Sequence, residues 1–284
     1  MSVFSSALVS TAELVSLLDS GPRPVLLDVR WRLGGPPARD DYTAGHLPGA
    51  VFLDLDRDLA APPGDGGRHP LPRPHDLQAA LRAAGVRAGH PVVVYDADNG
   101  SVAARAWWLL RWSGHTEVAV LDGGYAAWVA GGGEISTVEP SPEPGDVEVR
   151  PGAMPVLDAD EAAALAVDGV LLDARAPERY RGEVEPIDPR AGHVPGAVNA
   201  PFAGHTGQDG RWLAPELLAA RFAELGVLGR SVGAYCGSGV TAASVVLALE
   251  VARVTAPSAP AALYAGSWSH WSRDPRRPIA TGDN

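Results

Sequence analysis

The sequence predicts an α/β fold in two tandem domains, each a small parallel sheet with helices on both faces. Short apolar runs rich in valine and leucine, such as VLLDV, VVVYD and VAVLD, alternate with stretches of helical character such as HDLQAALRAAG. Strands that are apolar throughout and separated by helices are typical of a parallel sheet covered on both sides. The same blocks occur twice in the same order, and the length of 284 residues suits two domains.

The duplication is the most informative feature of the chain. Its matching blocks, first copy and then second, are VLLDVR and VLLDAR, GHLPGAV and GHVPGAV, AALRAAGV and AARFAELGV, PVVVYD and SVGAYC, and LDGGYAAW and YAGSWSHW. Because the blocks keep their order, they indicate a tandem duplication. They also place Asp96 of the first copy in register with Cys236 of the second.

A stretch rich in proline, glycine and acidic residues, EPSPEPGDVEVRPGAMP, separates the two copies. Proline is excluded from helix interiors, so this stretch is predicted to be a linker draped over the surface. We therefore expect a first domain over residues 1–138, a linker over 139–155 and a second domain over 156–284.

Composition excludes several classes of protein. The formal net charge of −11 argues against a nucleic-acid or anionic-membrane partner, although a local pocket can still bind a small anion. A single cysteine cannot form an intrachain disulfide, and eight scattered histidines show no metal-ligand spacing. We expect neither a metal nor a cofactor.

The chain is also expected to be cytoplasmic. No stretch approaches the roughly 20 consecutive apolar residues that a membrane helix needs. The N-terminal segment has no cationic region, and Ser10 or Thr11 followed by Glu13 predicts a capped helix rather than a signal peptide.

The loop Cys-Gly-Ser-Gly-Val-Thr is the strongest candidate site. Cys236 lies where the apolar run 231–235 ends and a helical stretch begins. Ligands collect at the carboxyl ends of parallel strands, and a helix N-terminus presents unpaired N–H groups. Gly237 and Gly239 allow the backbone to curl into an anion-binding nest. We therefore expect a reactive thiolate here rather than a buried structural thiol.

The first copy acts as an internal control. Its equivalent loop carries Asp96, and a carboxylate is no soft nucleophile and would repel an anion. The first half is therefore predicted to be structural and the second catalytic. Side chains kept in both halves are expected to be scaffold; they are Asp28, Arg30 and His46, matched by Asp173, Arg175 and His193.

Two arginines of the second half have no basic counterpart in the first. Arg179 and Arg190 lie in the long segment ERYRGEVEPIDPRAGH, which is expected at the same sheet edge as Cys236. Two guanidinium groups there would clamp a carboxylate. The alternative is that they are solvated surface arginines.

Two other chemistries match the cysteine loop less well. The pattern GSGVTA fits a dinucleotide-binding fingerprint, but it comes late in its domain and lacks an acidic residue about 20 positions on. A cysteine phosphatase needs arginine six residues after the cysteine, where this chain has Ala242.

The tandem halves, the GHLPGA and GHVPGA turns, the loop CGSGVT and the terminal YAGSWSHW resemble the two-domain rhodanese-like sulfurtransferases. The resemblance extends from about Leu8 to the end of the chain. The loop looks like that of the 3-mercaptopyruvate type, because the thiosulfate type usually carries two basic residues after the cysteine. One departure is Ala265, where the family usually has aspartate before Gly-Ser-Trp.

The resemblance implies two rhodanese-like domains and ping-pong catalysis in the second. A cysteine persulfide would form with release of pyruvate, and its sulfur would pass to cyanide or a thiol, including that of a thioredoxin-like protein. Thiosulfate:cyanide sulfur transfer and a low-turnover sulfur carrier or sensor are the alternatives. The implied site residues are Cys236 as nucleophile, Ser238, His69 and Asp56 as a polar triad, Arg179 and Arg190 for the donor, and the loop residues Gly237, Gly239, Val240 and Thr241 for the persulfide.

Overall fold

The computed structural model describes residues 3–21 and 23–283, and the chain divides into two compact units. Most of the first unit comes from the N-terminal half and most of the second from the C-terminal half. Two short segments depart from this order. Residues Pro62–Leu71 group with the second unit, and residues Thr206–Trp212 group with the first.

The first unit is built on a five-stranded sheet in the order β1-β5-β4-β2-β3, in which every pairing is parallel. Its strands are β1 (Leu8–Val9), β2 (Val25–Asp28), β3 (Val51–Phe52), β4 (Val92–Tyr95) and β5 (Val118–Leu121). Its helices are α1 (Thr11–Ser20), α2 (Ala38–Ala44), α3 (Leu55–Asp58), α4 (Pro74–Ala83), α5 (Ala103–Trp112) and α6 (Gly124–Ala130).

The second unit repeats this plan with a four-stranded parallel sheet in the order β7-β6-β8-β9. Its strands are β6 (Val170–Asp173), β7 (Val198–Asn199), β8 (Val232–Tyr235) and β9 (Ala262–Leu263). Its helices are α7 (Ala159–Asp168), α8 (Pro177–Tyr180), α9 (Pro215–Glu224), α10 (Ala242–Val251) and α11 (Ser267–Trp271), with a 3₁₀ turn at Phe202–His205. The predicted fold of two parallel α/β domains is confirmed.

The two copies also agree in strand register and in helix capping. Asp28 pairs with Tyr95 across β2 and β4, as Asp173 pairs with Tyr235 across β6 and β8. Helix α1 begins at a cap formed by Ser10, one of the two residues that the sequence offers. The N–H of Glu13 donates to the Ser10 hydroxyl, and the Glu13 carboxylate accepts from the Ser10 N–H, which completes a capping box. Helix α7 begins with the equivalent box from Asp158 and Glu161.

Helix α10 is the central helix of the second unit and fixes the position of the cysteine loop. Its residues from Ala242 to Leu249 are all buried, which explains why it is apolar on every side. Since α10 starts a few residues after Cys236, a helix held on all sides by the core anchors one end of the loop, and β8 anchors the other.

The stretch predicted as a linker has no helix, and part of it is tied to the first unit. The N–H of Gly145 donates to the carbonyl of Arg82 at 2.8 Å, and Val147 is 2% exposed. A Cβ on Gly145 would lie 1.8 Å from the carbonyl oxygen of Val86, so only glycine fits this approach. Over the described ranges 3–21 and 23–283, none of the helices has the length and apolarity needed to span a bilayer.

Candidate active site

Cys236 lies directly after β8, with its sulfur held in a nest of backbone amides. The N–H of Gly239 donates to Sγ at 3.1 Å, and the N–H of Ser238 lies 3.5 Å from the same atom. The residue is 2% exposed. Because two N–H donors converge on the sulfur at the start of α10, the loop is suited to stabilise a negatively charged sulfur.

A turn over residues 264–268 is hydrogen-bonded to Cys236, the first residue of the cysteine loop. The Ser267 hydroxyl accepts a hydrogen bond from the N–H of Cys236 at 3.1 Å, and the Trp268 N–H donates to the Cys236 carbonyl at 2.9 Å. Gly239 has a φ of +83°, and a Cβ at this position would lie 2.4 Å from the carbonyl oxygen of Ala265. Glycine at position 239 is therefore required both by conformation and by packing.

The equivalent loop of the first unit is filled by its own carboxylate. Asp96 Oδ1 accepts from the N–H of Gly100 at 2.9 Å, and Oδ2 accepts from the N–H groups of Val102 and Ala103 at 2.9 and 3.1 Å. Burial raises the pKa of Asp96, and these three backbone donors oppose that rise. The first nest thus holds a tethered carboxyl group where the second holds a thiol.

Ser238 is hydrogen-bonded to a histidine from the segment Pro62–Leu71. Nδ1 of His69 lies 2.7 Å from Oγ of Ser238, and both residues are 7% exposed. The structure therefore brings Cys236, Ser238 and His69 together within the second unit. Asp56, the third member of the predicted triad, belongs to the first unit, where it accepts a hydrogen bond from the Trp31 indole at 2.9 Å. Its part in a triad stays a prediction.

Arg179, at the end of α8, faces the cysteine loop. Its guanidinium donates to Glu185 at 2.6 Å and lies 3.3 Å from Asp188. Its Nη1 lies 3.5 Å from the position that a Cβ on Gly237 would occupy. Part of the guanidinium is thus directed toward the loop while its charge is balanced by carboxylates.

A second guanidinium at this position was not expected from the sequence. Nη2 of Arg68 lies 2.9 Å from the Cβ position of Gly237, and its Nη1 forms an ion pair with Asp188. The only sequence signal for Arg68 is its place immediately before His69 in GGRHPLP. Burial raises the pKa of Asp188, and the facing charge of Arg68 opposes that rise.

Arg190 makes different contacts from those expected. Its guanidinium donates to the backbone carbonyls of Ser272 at 2.7 Å, Arg277 at 3.1 Å and Trp271 at 3.2 Å, and also to that of Asp274. One of these carbonyls belongs to Trp271, the last residue of α11, where a carbonyl has no partner inside its own helix. The N–H donors of Arg190 are therefore engaged by backbone carbonyls. This geometry does not support the predicted role of Arg190 in binding the donor's carboxylate.

The other two predicted loop residues lie where the loop meets α10. Val240 is 2% exposed, and Thr241 is the residue from which α10 begins. In the part of the chain that the structure describes, no group of three or more His, Cys, Asp or Glu side chains is placed to hold a metal ion.

The side chains repeated in both halves make the same contacts in each unit, as expected for scaffold. Arg30 donates to the Gly45 carbonyl at 2.7 Å, and Arg175 donates to the Gly192 carbonyl at 2.7 Å. Each arginine is also paired with the aspartate two residues before it. His46 and His193 each lie 2.8 Å from a tyrosine carbonyl and stack on that tyrosine's ring.

Comparison with known proteins agrees with this arrangement. The family described as Rhodanese-like domain matches residues 10–131 and 158–274. The chain belongs to the rhodanese-like family. It is 50% identical over 288 residues to a Pseudomonas aeruginosa protein provisionally named 3-mercaptopyruvate sulfurtransferase, covering 98% of this chain and 100% of the relative. It is 45% identical over 289 residues to a Mycobacterium tuberculosis protein provisionally named thiosulfate sulfurtransferase SseB, covering 99% of both.

The fold agrees with that of a solved relative. The crystal structure of SseA from Escherichia coli, described as a 3-mercaptopyruvate sulfurtransferase with the rhodanese fold, matches with a TM-score of 0.81 and 31% identity. The match covers 93% of this chain and 100% of SseA. Family, fold and full-length similarity make this rhodanese-like chain a sulfurtransferase enzyme with a sulfur donor and a sulfur acceptor as its substrates.

Proposed function

We propose that this sulfurtransferase takes its sulfur from 3-mercaptopyruvate, carries it as a persulfide on Cys236 and delivers it to a thiol or to cyanide. The proposal rests on the arrangement of side chains around Cys236. The Sγ of Cys236 lies in a nest of backbone N–H groups, and the neighbouring Ser238 hydroxyl is hydrogen-bonded to His69 at 2.7 Å. This combination supplies a stabilised sulfur nucleophile with a proton-transfer pair beside it.

The first half-reaction is a nucleophilic attack on the donor's sulfur. The Cys236 thiolate forms an S–S bond while the C–S bond of 3-mercaptopyruvate breaks, and the electron pair of that bond stays on the departing carbon as the enolate of pyruvate. The proton of the donor's thiol is then passed to the enolate, giving a Cys236 persulfide anion and pyruvate. Atoms and charge balance without an added oxidant, reductant or cofactor.

Ser238 and His69 are suited to move that proton. The Ser238 hydroxyl is two residues from the nucleophile, and its hydrogen bond to Nδ1 of His69 gives it a partner that can accept or return a proton. Asp56 is proposed to orient this pair, as the family resemblance implies. The N–H groups of the loop from Gly237 to Thr241 would then stabilise the persulfide.

Arg179 is proposed to bind the carboxylate of the donor. Its guanidinium faces Gly237, and its fork geometry matches a carboxylate. Glu185 and Asp188 balance the positive charge at this position, so no surplus of cations is present for a dianion. This balance favours 3-mercaptopyruvate, which carries one negative charge, over thiosulfate, which carries two.

Thiosulfate is the second candidate donor. Two observations favour it: the relative with the name thiosulfate sulfurtransferase SseB is 45% identical, and the guanidiniums of both Arg68 and Arg179 approach the loop at Gly237. Attack on the outer sulfur of thiosulfate would give the same Cys236 persulfide and release sulfite.

In the second half-reaction an acceptor attacks the outer sulfur of the persulfide and restores the Cys236 thiolate. A low-molecular-weight thiol, a thioredoxin-like protein or cyanide has the required nucleophile. We also propose that the enzyme works in the cytoplasm, where thiols are kept reduced, because its single cysteine must return to the thiolate after every turnover.

The test is mass spectrometry after exposure to each donor, together with steady-state turnover. We expect a gain of one sulfur on the peptide that contains Cys236, and kcat/KM at least about tenfold higher for 3-mercaptopyruvate than for thiosulfate, equivalent to roughly 1.4 kcal/mol. Cys236→Ser should fold and show no turnover. A persulfide that forms but does not turn over would favour the sulfur-carrier alternative, and faster use of thiosulfate would reverse the order of donors.

A further inference from the structure

Helix α11 carries a buried serine that the proposed mechanism does not use. Ser269 is 0% exposed, and its hydroxyl donates to the carbonyl of Gly266 at 3.1 Å. Serine side chains inside helices commonly make this bond to a carbonyl three residues earlier. If this were its whole role, Ser269 would be a local feature of α11.

Ser269 makes two further hydrogen bonds, and both leave the helix. Its hydroxyl accepts from the N–H of Arg68 at 3.0 Å, and its own N–H donates to the carbonyl of Gly237 at 2.9 Å. Arg68 immediately precedes His69, and Gly237 immediately precedes Ser238. A single residue therefore holds the chain directly before each member of the Ser238–His69 pair.

The segment that carries His69 is a tight turn packed on the Ser269 hydroxyl. The N–H of Gly64 donates to the carbonyl of Gly67, and the N–H of Gly67 donates to the carbonyl of Gly64, both at 3.0 Å. A Cβ on Gly67 would lie 2.8 Å from the Ser269 hydroxyl oxygen. Because peptide groups are planar, only the φ and ψ torsions of Arg68 separate its bonded N–H from the Cα of His69. Loss of the bond to Ser269 would therefore displace the His69 ring.

We propose that Ser269 is a positioning residue for proton transfer: its hydroxyl fixes His69, and its N–H fixes Ser238. This inference rests on the proposed function, in which this pair moves the proton of the donor's thiol. The distance of 2.7 Å between Nδ1 of His69 and Oγ of Ser238 is at the short end of the range for such bonds, so a small displacement weakens the contact.

The two sulfur donors distinguish positioning from simple support of the loop, since 3-mercaptopyruvate has a thiol proton and thiosulfate has none. In Ser269→Ala we expect the single-turnover rate of persulfide formation on Cys236 to fall by about 10–100-fold with 3-mercaptopyruvate, the scale for a misplaced catalytic group. With thiosulfate the rate should fall by less than about threefold, because no donor proton has to move. Equal losses with both donors would mean that Ser269 only supports the cysteine loop, and the proposal would be wrong.

Ser272→Ala is the matched control, because it makes the same substitution directly after α11. Ser272 is 2% exposed, and within residues 3–21 and 23–283 its hydroxyl has no hydrogen-bond partner. The rates with both donors should stay within about twofold of wild type. Ser269→Thr, which keeps the hydroxyl, should recover most of the rate that Ser269→Ala loses with 3-mercaptopyruvate.

A double-mutant cycle gives a test that does not depend on whether the buried site accepts the extra methyl group of threonine. If Ser269 acts through His69, adding Ser269→Ala to His69→Ala should lower the rate with 3-mercaptopyruvate by less than about twofold. Losses that multiply in the double variant would show that Ser269 acts independently of His69 and would contradict the proposal.

A labelling measurement without any sulfur donor separates this inference from the proposed function. Diethyl pyrocarbonate modifies accessible histidines; His69 is 7% exposed, and the 89% exposed side chain of His75 serves as the reference. We expect Ser269→Ala to raise the labelling of His69 relative to His75 by at least about threefold, because the segment opens more often. Unchanged labelling would overturn the inference even if a persulfide forms. Raised labelling without a persulfide from either donor would contradict the proposed function and still support positioning of His69 by Ser269.

Discussion

At the scale of single residues, the two glycines of the cysteine loop have different physical roles. Gly239 is in the left-handed region, and an added Cβ would meet a backbone carbonyl at 2.4 Å. An added Cβ on Gly237 would meet the end of the Arg68 side chain at 2.9 Å, which can move. One glycine therefore builds the amide nest, and the other leaves space for the two guanidiniums.

Replacing these glycines should separate the two roles. We expect Gly239→Ala to lower the free energy of unfolding by about 1–3 kcal/mol and to abolish most sulfur transfer, because the N–H that contacts Cys236 Sγ moves. Gly237→Ala should leave stability within about 1 kcal/mol of wild type and act mainly on KM of the donor. Urea unfolding and steady-state kinetics would measure both effects. Equal loss of stability in the two variants would contradict this division.

At the scale of elements, the C-terminal end of α11 is stabilised by Arg190. We expect Arg190→Ala to lower the free energy of unfolding by about 2–3 kcal/mol, since several carbonyls lose a charged donor, and to change KM of the donor by less than about threefold. Arg179→Ala should do the reverse, raising KM by about 10–100-fold with a smaller effect on stability. Thermal unfolding and donor KM values check both. A large increase in the donor's KM in Arg190→Ala would instead support the predicted role of Arg190 in donor binding.

The sequence was informative about elements and about residues that act within one element. Cys236 and its glycines were found because the loop is contiguous, and the duplication identified Asp96 as its counterpart. The contact between Arg68 and Asp188 joins segments 120 positions apart and was not predicted, whereas the contact between His69 and Ser238, 169 positions apart, was reached only through the family resemblance. Whether an arginine such as Arg190 faces a ligand or a set of carbonyls depends on tertiary packing, which local sequence does not encode.

At the scale of the whole molecule, each of the two duplicated units contains a nest of backbone N–H groups, and a different side chain occupies each nest. In the first unit the nest is filled permanently by the carboxylate of Asp96, and in the second it holds the sulfur of Cys236. The second unit also includes residues Pro62–Leu71 from the N-terminal half of the chain. The proposed proton-transfer pair of Ser238 and His69 therefore includes a residue from the N-terminal side of the predicted linker.

The packing of that segment leads to a prediction about the molecule as a whole. Gly67 has a φ of +108°, and a Cβ there would lie 2.7 Å from the Gly266 carbonyl and 2.8 Å from the Ser269 hydroxyl. Gly67→Ala should therefore displace the segment that presents His69 and Arg68, and we expect kcat/KM for 3-mercaptopyruvate to fall by about 10–100-fold, the scale for misplaced catalytic groups.

A control lies within the same segment. Gly64 has no atom within 4 Å of its Cβ position, so Gly64→Ala should retain wild-type kinetics. Gly67→Ala changes no residue of the cysteine loop, and we expect Cys236 still to react with a small alkylating reagent at a rate within a few-fold of wild type. If Gly67→Ala instead loses alkylation and turnover together, the segment supports the loop's structure and not only the delivery of His69 and Arg68. If neither changes, the anchoring of this segment does not determine the geometry of the site.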